Sequence, residues 1–181
     1  MPRFVAFLRA INLGGARTVK MDFLRQLFES ADFSDVETFI ASGNVVFKTR
    51  AKSNKALERK IEARLREALG YDVSVFIRTV AELDEIGDYN PFPEAKMGQH
   101  TACNIVFLKD MVDEKVAQKV KALRTATDQF RVRAREIYWL RRRKAGGTFS
   151  TVPLEKALGR PFTVRASNTV RRMVAKYCSA D

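Results

Sequence analysis

The order of strand-like and helix-like segments is the feature that most constrains the fold of this chain. Short runs rich in Phe, Val and Ile, typical of strands, alternate with longer segments in which apolar residues recur at helical spacing. Between residues 3 and 90 the order is strand, helix, strand, strand, helix, strand, followed by a short helix. This is the split βαβ order of ferredoxin-like domains, and it predicts an α+β fold.

Local signals mark several boundaries in this first half. Ser53 is predicted to cap the second helix, and Gly70 stands where a glycine ends a helix. Thr79 and Glu82 have capping-box spacing, which predicts a third helix directly after the fourth strand. The predicted strands are Arg3–Arg9, Val36–Ala41, Val45–Lys48 and Val73–Arg78.

The same order of segments recurs after residues 90–98, a stretch that contains Pro and Gly. The predicted elements are a strand at Thr101–Leu108, a helix opened by Asp113, a hairpin of Phe130–Ala134 with Ile137–Leu140, a short helix ended by Gly159, a strand at Phe162–Arg165 and a final helix. We therefore predict two ferredoxin-like (βαββαβ) units in tandem, at residues 1–90 and 99–181. The second unit is basic and ends in the C-terminal helix.

Charge and cysteine content narrow the class of protein. Of the net charge of +12, residues 1–90 carry +1 (14 basic against 13 acidic side chains) and residues 91–181 carry +11 (19 against 8). This asymmetry favours an anionic partner for the second half, with a solvated basic surface as the alternative. Cys103 and Cys178 are far apart, which predicts reduced thiols in a cytoplasmic protein. The sequence predicts no membrane segment, no metal and no cofactor.

Two polar, glycine-containing loops are predicted to meet at one end of the first sheet. One follows strand one, and the other joins strands two and three. In the split βαβ order these loops share an edge of the sheet. Free N–H groups at the start of the following helix favour an anion, so we predict a phosphate or carboxylate site. The candidate ligand-binding residues are Arg9, Asn12, Gly14, Gly15, Lys20, Ser42, Gly43 and Asn44.

These residues also have a purely structural interpretation. Turn glycines beside polar caps, with Asn44 in a left-handed conformation, need no ligand. Arg9 is then a structural link to carbonyls of the Ser42–Asn44 turn. The spacing matches neither a P-loop nor a dinucleotide fingerprint, so no reaction is assigned. A catalytic pair of His100 and Cys103 is not expected, because an offset of three residues in a strand points two side chains to opposite faces.

Basic residues of the second half predict a polyanion-binding surface. Arg131, Arg133 and Arg135 alternate along a predicted strand and share a face, while Tyr138 and Trp139 lie on the paired strand. A sheet face with arginines and aromatic residues is one way to bind single-stranded RNA, and a charged edge strand that resists aggregation is the alternative. The candidate polyanion-binding residues are Arg131, Arg133, Arg135, Arg141, Arg142, Arg143 and Arg165.

Several segments resemble a bacterial family known as domain of unknown function 1697 (DUF1697). The matching segments are Leu8-Arg9-Ala10-Ile11-Asn12-Leu13-Gly14-Gly15, Lys20-Met21, Phe39-Ile40-Ala41-Ser42-Gly43-Asn44-Val45-Val46-Phe47, Arg78-Thr79 with Glu82-Leu83, and Asn90-Pro91-Phe92. Near the end of the chain Thr163, Arg165, Thr169 and Val170 keep the family pattern, whereas Ala166 and Ser167 depart from it. The resemblance implies a two-part α+β fold similar to paired ferredoxin-like units, and no established activity.

Taken together, the sequence predicts a cytoplasmic bacterial α+β protein that binds an anionic ligand, with nucleic acid as one candidate. An enzyme acting on a phosphate- or carboxylate-bearing small molecule in the cleft between Arg9 and Ser42 is the second hypothesis. A protein-interaction module is the third. The sequence leaves the oligomeric state open.

Overall fold

The computed structural model describes residues 1–9, 11, 18–41, 43–93, 101–142 and 150–178. The elements of the first half are β1 (Arg3–Leu8), α1 (Met21–Glu29), β2 (Ser34–Thr38), β3 (Asn44–Lys48), α2 (Asn54–Leu69), β4 (Val75–Thr79) and α3 (Val80–Asp88). Those of the second half are β5 (Thr101–Phe107), α4 (Glu114–Ala122), β6 (Asp128–Arg133), β7 (Glu136–Arg142), α5 (Val152–Leu158), β8 (Thr163–Ala166) and α6 (Ser167–Tyr177). The same order of elements thus occurs twice, as the sequence predicts.

The strands of each half form one four-stranded sheet. The orders are β2-β3-β1-β4 and β6-β7-β5-β8, and hydrogen-bonded neighbours are antiparallel in both sheets. In the first sheet β1 and β2 are therefore parallel, with β3 between them. The α+β class is confirmed by these two sheets and the six helices of the described residues.

The contacts within the chain divide it into two compact units. The first unit comprises Met1–Ile86 and a C-terminal segment that begins at Met173, and the second comprises Gly87–Arg172. The C-terminal part of α6 therefore belongs to the first unit. The proposed domain boundaries at 1–90 and 99–181 remain a prediction about independent domains.

The core of the first unit lies between its sheet and two helices. Alternate residues of β1, including Phe4 and Leu8, face α1 and α2, where Phe28 and Ile61 are buried. The residues between them, including Val5 and Phe7, are also fully buried on the opposite face. Both faces of β1 are therefore withdrawn from water, which explains why its sequence is apolar throughout rather than alternating.

The second unit has a comparable core on one face of its sheet. Val106, Ile137 and Trp139 from the strands pack with Val120 of α4 and Leu154 of α5. Phe130 and Trp139 lie opposite each other on β6 and β7, and their rings stack with centres 5.4 Å apart.

The predicted caps are formed at the expected residues. Ser53 accepts from the backbone N–H of Ala56 at the start of α2, and Gly70 ends that helix in a left-handed conformation. Thr79 and Glu82 form a reciprocal capping box at α3, with backbone-to-side-chain distances of 2.8 and 3.1 Å. These local interactions stop and start the elements where the sequence predicts, because each satisfies backbone groups that the helix leaves open.

Helix α2 also covers the outer edge of the first sheet. The N–H groups of Val75 and Ile77 on edge strand β4 donate to the carboxylates of Glu62 and Glu58, at 2.8 and 3.1 Å. Exposed edge amides invite pairing with another strand, and these carboxylates prevent it at this edge.

The predicted second strand, Val36–Ala41, is wrong in its bounds, since β2 spans Ser34–Thr38. The backbone of Phe39 donates to the carbonyl of Asn44 at 2.9 Å, so the hairpin already turns there. Ile40 has a φ of +51°, a left-handed conformation that is rare for a β-branched residue and incompatible with a continuing strand.

Candidate functional site

The two loops of the first unit approach each other as predicted, at least through their described residues. Leu8, the last residue of β1, donates its backbone N–H to the carbonyl of Gly43 at 2.8 Å. Gly43 has a φ of +72°, and a Cβ placed on it would lie 3.1 Å from the Cβ of Leu8 and 3.5 Å from that of Ile11. Only glycine suits this position, because a side chain would be strained and would push the two loops apart.

Asn44 has a structural role that differs from the turn conformation considered for it in the sequence. It is fully buried as the first residue of β3, and its Nδ2 donates to the carbonyl of Phe39 at 3.0 Å. The expectation that Asn44 adopts a left-handed conformation is wrong, because Ile40 and Gly43 take the positive φ values of this turn. The hydrogen bond from the Asn44 side chain to Phe39 therefore stabilises the turn.

Of the remaining candidates of the first site, the structure describes only Arg9 and Lys20. Arg9 is half-buried, and its backbone N–H donates to the carbonyl of Ser74 at 2.9 Å, which extends the pairing of β1 beyond its last residue. Lys20 is exposed at the N-cap position of α1 and makes no side-chain cap. Asn12, Gly14, Gly15 and Ser42 lie outside the described residues. The anion site at this end of the sheet therefore stays a prediction.

The candidate arginines of the second unit do not share one face. Phe130 and Val132 of β6 face α4 and α5, so Arg131 and Arg133 lie on the opposite face, where both are exposed. Arg142, also exposed, follows on the same face of β7. We call Arg131, Arg133 and Arg142 the arginine face.

The other candidates depart from the predicted surface. Arg135 was predicted to continue the alternation of β6, but it lies in the two-residue turn between β6 and β7, after Ala134 with a φ of +53°. Arg141 is on the side of α4 and α5, within 3.9 Å of Asp128. Arg143 lies outside the described residues, as does His100.

Arg165 is buried rather than exposed. Its guanidinium donates to the hydroxyl of Thr163 at 2.7 Å and to the carbonyl of Val164 at 2.9 Å. Burial lowers the pKa of Arg165 to about 10, so the side chain is still charged at neutral pH. We leave Arg165 out of the arginine face, because a buried guanidinium held by its own strand is withdrawn from a polymer at the surface.

Two arginines of this face are held over aromatic rings from the segment after α3. The guanidinium carbon of Arg131 lies 5.4 Å from the ring centre of Phe92, and that of Arg133 lies 4.5 Å from the ring centre of Tyr89. Tyr89 in turn contacts Tyr138 edge-to-face at 4.9 Å. These are cation–π distances, and they restrict where each guanidinium can point.

Neither aromatic residue of the predicted RNA-binding surface offers a ring for base stacking on the arginine face. Tyr138 is only 1% exposed, and Trp139 lies on the opposite face of the sheet, toward α4 and α5. Burial raises the pKa of the Tyr138 hydroxyl, so this group stays neutral in the physiological range. The arginine face therefore offers cations without an open aromatic platform.

A cavity of about 210 Å³ lies on the other side of the second sheet, and the sequence did not predict it. It lies beside the stacked rings of Phe130 and Trp139, and Arg141 contributes a cation to its wall. Further lining residues are Leu123, Thr125, Asp128, Ser150, Pro153 and Leu154. The available signal was Thr125-Ala126-Thr127-Asp128, a run of turn-forming side chains that ends at the first residue of β6.

Asp128 organises the polar rim of this cavity. Its carboxylate accepts from Nε1 of Trp139 at 2.7 Å, from Thr127 at 2.7 Å and from Thr125 at 3.1 Å. Burial raises its pKa, but these hydrogen bonds and the charge of Arg141 outweigh that effect, so the pKa of Asp128 lies below its ordinary value. The result is an ionised carboxylate that fixes the indole ring.

The described residues contain neither a metal-binding cluster nor a membrane-spanning helix. No group of three or more His, Cys, Asp and Glu side chains in these ranges is arranged to hold a metal ion. None of the described helices combines the length and the apolar character that a membrane span requires.

The family model described as "Protein of unknown function (DUF1697)" matches residues 1–138. The chain belongs to this family. The match covers the Met1–Ile86 part of the first unit and extends into β7, so α5, β8 and α6 lie beyond it.

A solved structure extends the likeness to nearly the whole chain. It is that of conserved bacterial protein SP0830 from Streptococcus pneumoniae, with 20% identity, a TM-score of 0.70, and coverage of 97% of this chain and 99% of that one. At this identity the likeness establishes the fold alone. Among curated proteins, none matches the chain significantly.

Proposed function

We propose that the protein binds polyanions, nucleic acid among them, through the arginine face of its second unit. The observation that carries this proposal is the presence of three exposed arginines on one face of β6 and β7, two of them stacked on aromatic rings. An isolated cationic side chain at the surface is usually mobile. The contacts with aromatic rings restrict the side chains of Arg131 and Arg133.

The position of Arg131 and Arg133 over aromatic rings favours phosphate binding by their guanidinium groups. A ring engages the flat face of a guanidinium, whereas the N–H donors lie at its edge, where a phosphate oxygen approaches. Arg131 and Arg133 are two residues apart on β6, which separates their backbones by roughly 7 Å. Two preorganised cations on one strand lose less side-chain entropy on binding a polymer than two mobile ones.

We expect binding with little preference for nucleotide sequence and a strong dependence on salt concentration. Residues 91–181 carry a net charge of +11, which attracts any polyanion over distance. Because Tyr138 and Phe92 are buried and Arg133 lies over the half-buried ring of Tyr89, base stacking contributes little, and phosphate contacts dominate. Such contacts release counterions, so affinity falls steeply as the salt concentration rises.

Elution from heparin and from immobilised oligo(dT) in a salt gradient tests the proposal. In the triple variant Arg131→Gln/Arg133→Gln/Arg142→Gln, we expect elution at a clearly lower salt concentration from both columns. The matched control is Lys115→Gln/Lys119→Gln/Lys121→Gln, which removes the same charge from exposed positions on α4. Equal shifts for both triple variants would contradict a localised site and leave only the overall charge.

A second candidate is the predicted small-anion site of the first unit, formed by Arg9, Asn12, Gly14, Gly15, Lys20, Ser42, Gly43 and Asn44. The close approach of Gly43 to Leu8 and Ile11 favours it, because this packing brings the turn to the end of β1. An enzyme acting on a phosphate- or carboxylate-bearing molecule would use this site. In Arg9→Ala, loss of phosphate-ester binding with an unchanged melting temperature supports a ligand role, and a large drop in melting temperature contradicts it.

We also interpret each unit as ferredoxin-like, arranged in tandem. The shared element order and the strand orders β2-β3-β1-β4 and β6-β7-β5-β8 support this interpretation. In each sheet the first strand of the unit is central and lies between the third and fourth, which is the arrangement expected for split βαβ units.

A further inference from the structure

We propose that the cavity beside Phe130 and Trp139 binds the base of a nucleotide, with Arg141 as the contact for its phosphate. This cavity lies on the α4 and α5 side of the second sheet, whereas the arginine face is on the opposite side. The proposal therefore stands or falls separately from polyanion binding by Arg131, Arg133 and Arg142.

The size of the cavity suits a single ring system. A cavity of roughly 150 Å³ lined by apolar side chains holds one benzene molecule. The volume here is about 210 Å³, enough for a somewhat larger flat heterocycle but too small for a complete nucleotide. A sugar and a phosphate would remain at the mouth, which is open to solvent.

The residues that line the cavity indicate which kind of ring system it can bind. The stacked pair of Phe130 and Trp139 offers aromatic contact on one side, and Leu123 and Leu154 complete the apolar lining. The hydroxyl of Ser150 can donate to the edge of a nucleobase, whereas that of Thr125 already donates to Asp128 and accepts from the backbone of Thr127 and Asp128.

Arg141 supplies the selection for an anionic ligand. Its guanidinium carbon is 5.9 Å from the ring centre of Trp139, and its Nε is 3.9 Å from Asp128. The Asp128 carboxylate is already bonded to Trp139, Thr127 and Thr125, so it serves as the anchor that orients both the indole and the arginine. A planar heterocycle with an attached phosphate matches an aromatic wall next to a fixed cation.

The single tryptophan of the chain provides a direct measurement, because Trp139 is the only one. Trp139 fluorescence, excited at the red edge of its absorption, is titrated with adenosine monophosphate, uridine monophosphate, adenosine, inorganic phosphate and oligo(dA). We expect saturable quenching by the monophosphates and weaker quenching by adenosine. Quenching by oligo(dA) alone would indicate a base delivered within a strand, and quenching by the monophosphates would indicate the free nucleotide. Either result supports a nucleobase site.

Three variants decide whether the signal comes from this cavity. Arg141→Gln should weaken binding of adenosine monophosphate by roughly ten- to hundredfold, as expected for loss of a charged hydrogen bond. Ser150→Tyr fills the mouth from an exposed position and should abolish quenching, and Leu123→Phe does the same from within. Lys119→Gln removes an equal charge at an exposed position on α4 and should leave the affinity unchanged.

The proposal is overturned by any of three results. These are no saturable quenching with any base-containing probe, equal quenching by inorganic phosphate and adenosine monophosphate, or full quenching in both filled-cavity variants with their thermal melts intact. Retained heparin binding in those same variants would show that the failure concerns the cavity alone.

Discussion

The two units share one arrangement of strands and helices but differ in the length of one helix and in their charge. The helix after the third strand has 16 residues in the first unit (α2) and 7 in the second (α5). The longer helix brings Glu58 and Glu62 against the edge of β4, whereas Pro153 and Leu154 of the shorter one line the cavity of about 210 Å³ beside Phe130 and Trp139. The units also differ in charge, since the excess of basic residues lies in the second half. The topology is shared, whereas helix length and charge are not.

A buried arginine occupies the equivalent place in both units. Arg78 lies opposite Val5 on β4, and Arg165 lies opposite Ile105 on β8. Each is the penultimate residue of its strand, directly before a helix, and each donates to the carbonyl of the preceding residue, at 2.7 and 2.9 Å. We regard them as counterparts that stabilise the two units in the same way.

The strongest test of this equivalence is truncation of both arginines. Arg78→Ala should lower the free energy of unfolding by about 3 kcal/mol, because it removes hydrogen bonds and leaves a void in a fully buried place. The melting temperature should fall by roughly 6–12 °C in a chain of this size. Arg165→Ala should act in the same direction, and the exposed Arg59→Ala should stay within about 0.5 kcal/mol of the wild type. A neutral Arg165→Ala beside a destabilised Arg78→Ala would break the equivalence.

A second test concerns the difference between the long and the short helix. Glu58→Ala should cost roughly 1–3 kcal/mol, because it leaves the N–H of Ile77 without its carboxylate partner at the sheet edge. Glu58→Gln keeps an acceptor and should recover most of that loss. Glu155, on the short helix, is exposed and accepts from Thr151 at 2.9 Å, so Glu155→Ala should change stability by less than about 0.5 kcal/mol. Chemical denaturation of the three variants makes the comparison.

Features that depend on neighbours in sequence could be predicted, and those that depend on distant contacts could not. The caps at Ser53, Thr79 and Asp113 and the turn glycine at Gly70 follow from local spacing, and the structure contains them. The alternation of β6 also placed Arg131 and Arg133 on one face correctly. The packing of Tyr89 and Phe92 against those arginines joins segments about forty residues apart, and no local pattern marks it.

The candidate site residues also depend on distant contacts that local sequence does not reveal. Arg165 was predicted to bind polyanions, yet it is buried and donates to Thr163 and Val164 of its own strand. Burial of a charged side chain is rare, and no local pattern marks it here. The cavity is lined by residues distant in sequence, such as Leu123 and Leu154, and the pairing of Phe130 with Trp139 beside it is fixed only once the register of β6 and β7 is known. Asn44 was assigned to a ligand because of its place in a motif, while its amide is used inside the turn.

The last and smallest test compares two aspartates on the equivalent strands β2 and β6. Hydrogen bonding and charge from Lys48 hold the pKa of the exposed Asp35 below its ordinary value, at an Nζ–Oδ2 distance of 2.7 Å. For Asp128, burial opposes ionisation, and hydrogen bonds from Thr127, Trp139 and Thr125 outweigh it. A carboxyl whose folded pKa is lowered stabilises the fold above its unfolded pKa, near 4, and loses that contribution as the pH falls through the folded value.

Asp128→Asn should therefore be less stable than the wild type at neutral pH, and the difference should shrink as the pH falls below about 4. Asp35→Asn should also be less stable than the wild type at neutral pH, but added salt should remove this loss of stability. The reason is that salt screens an exposed ion pair, whereas it does not screen hydrogen bonds from neutral donors. Melting temperatures across this pH range at low and high salt separate the two cases. Trp139 fluorescence adds a local readout, since its Nε1 donates to Asp128 and its emission should follow that titration only in the wild type and in Asp35→Asn. If salt removes the Asp128 contribution as well, the carboxylate is held by Arg141 rather than by its hydrogen bonds, and the rim of the cavity is a surface ion pair like that of the first unit.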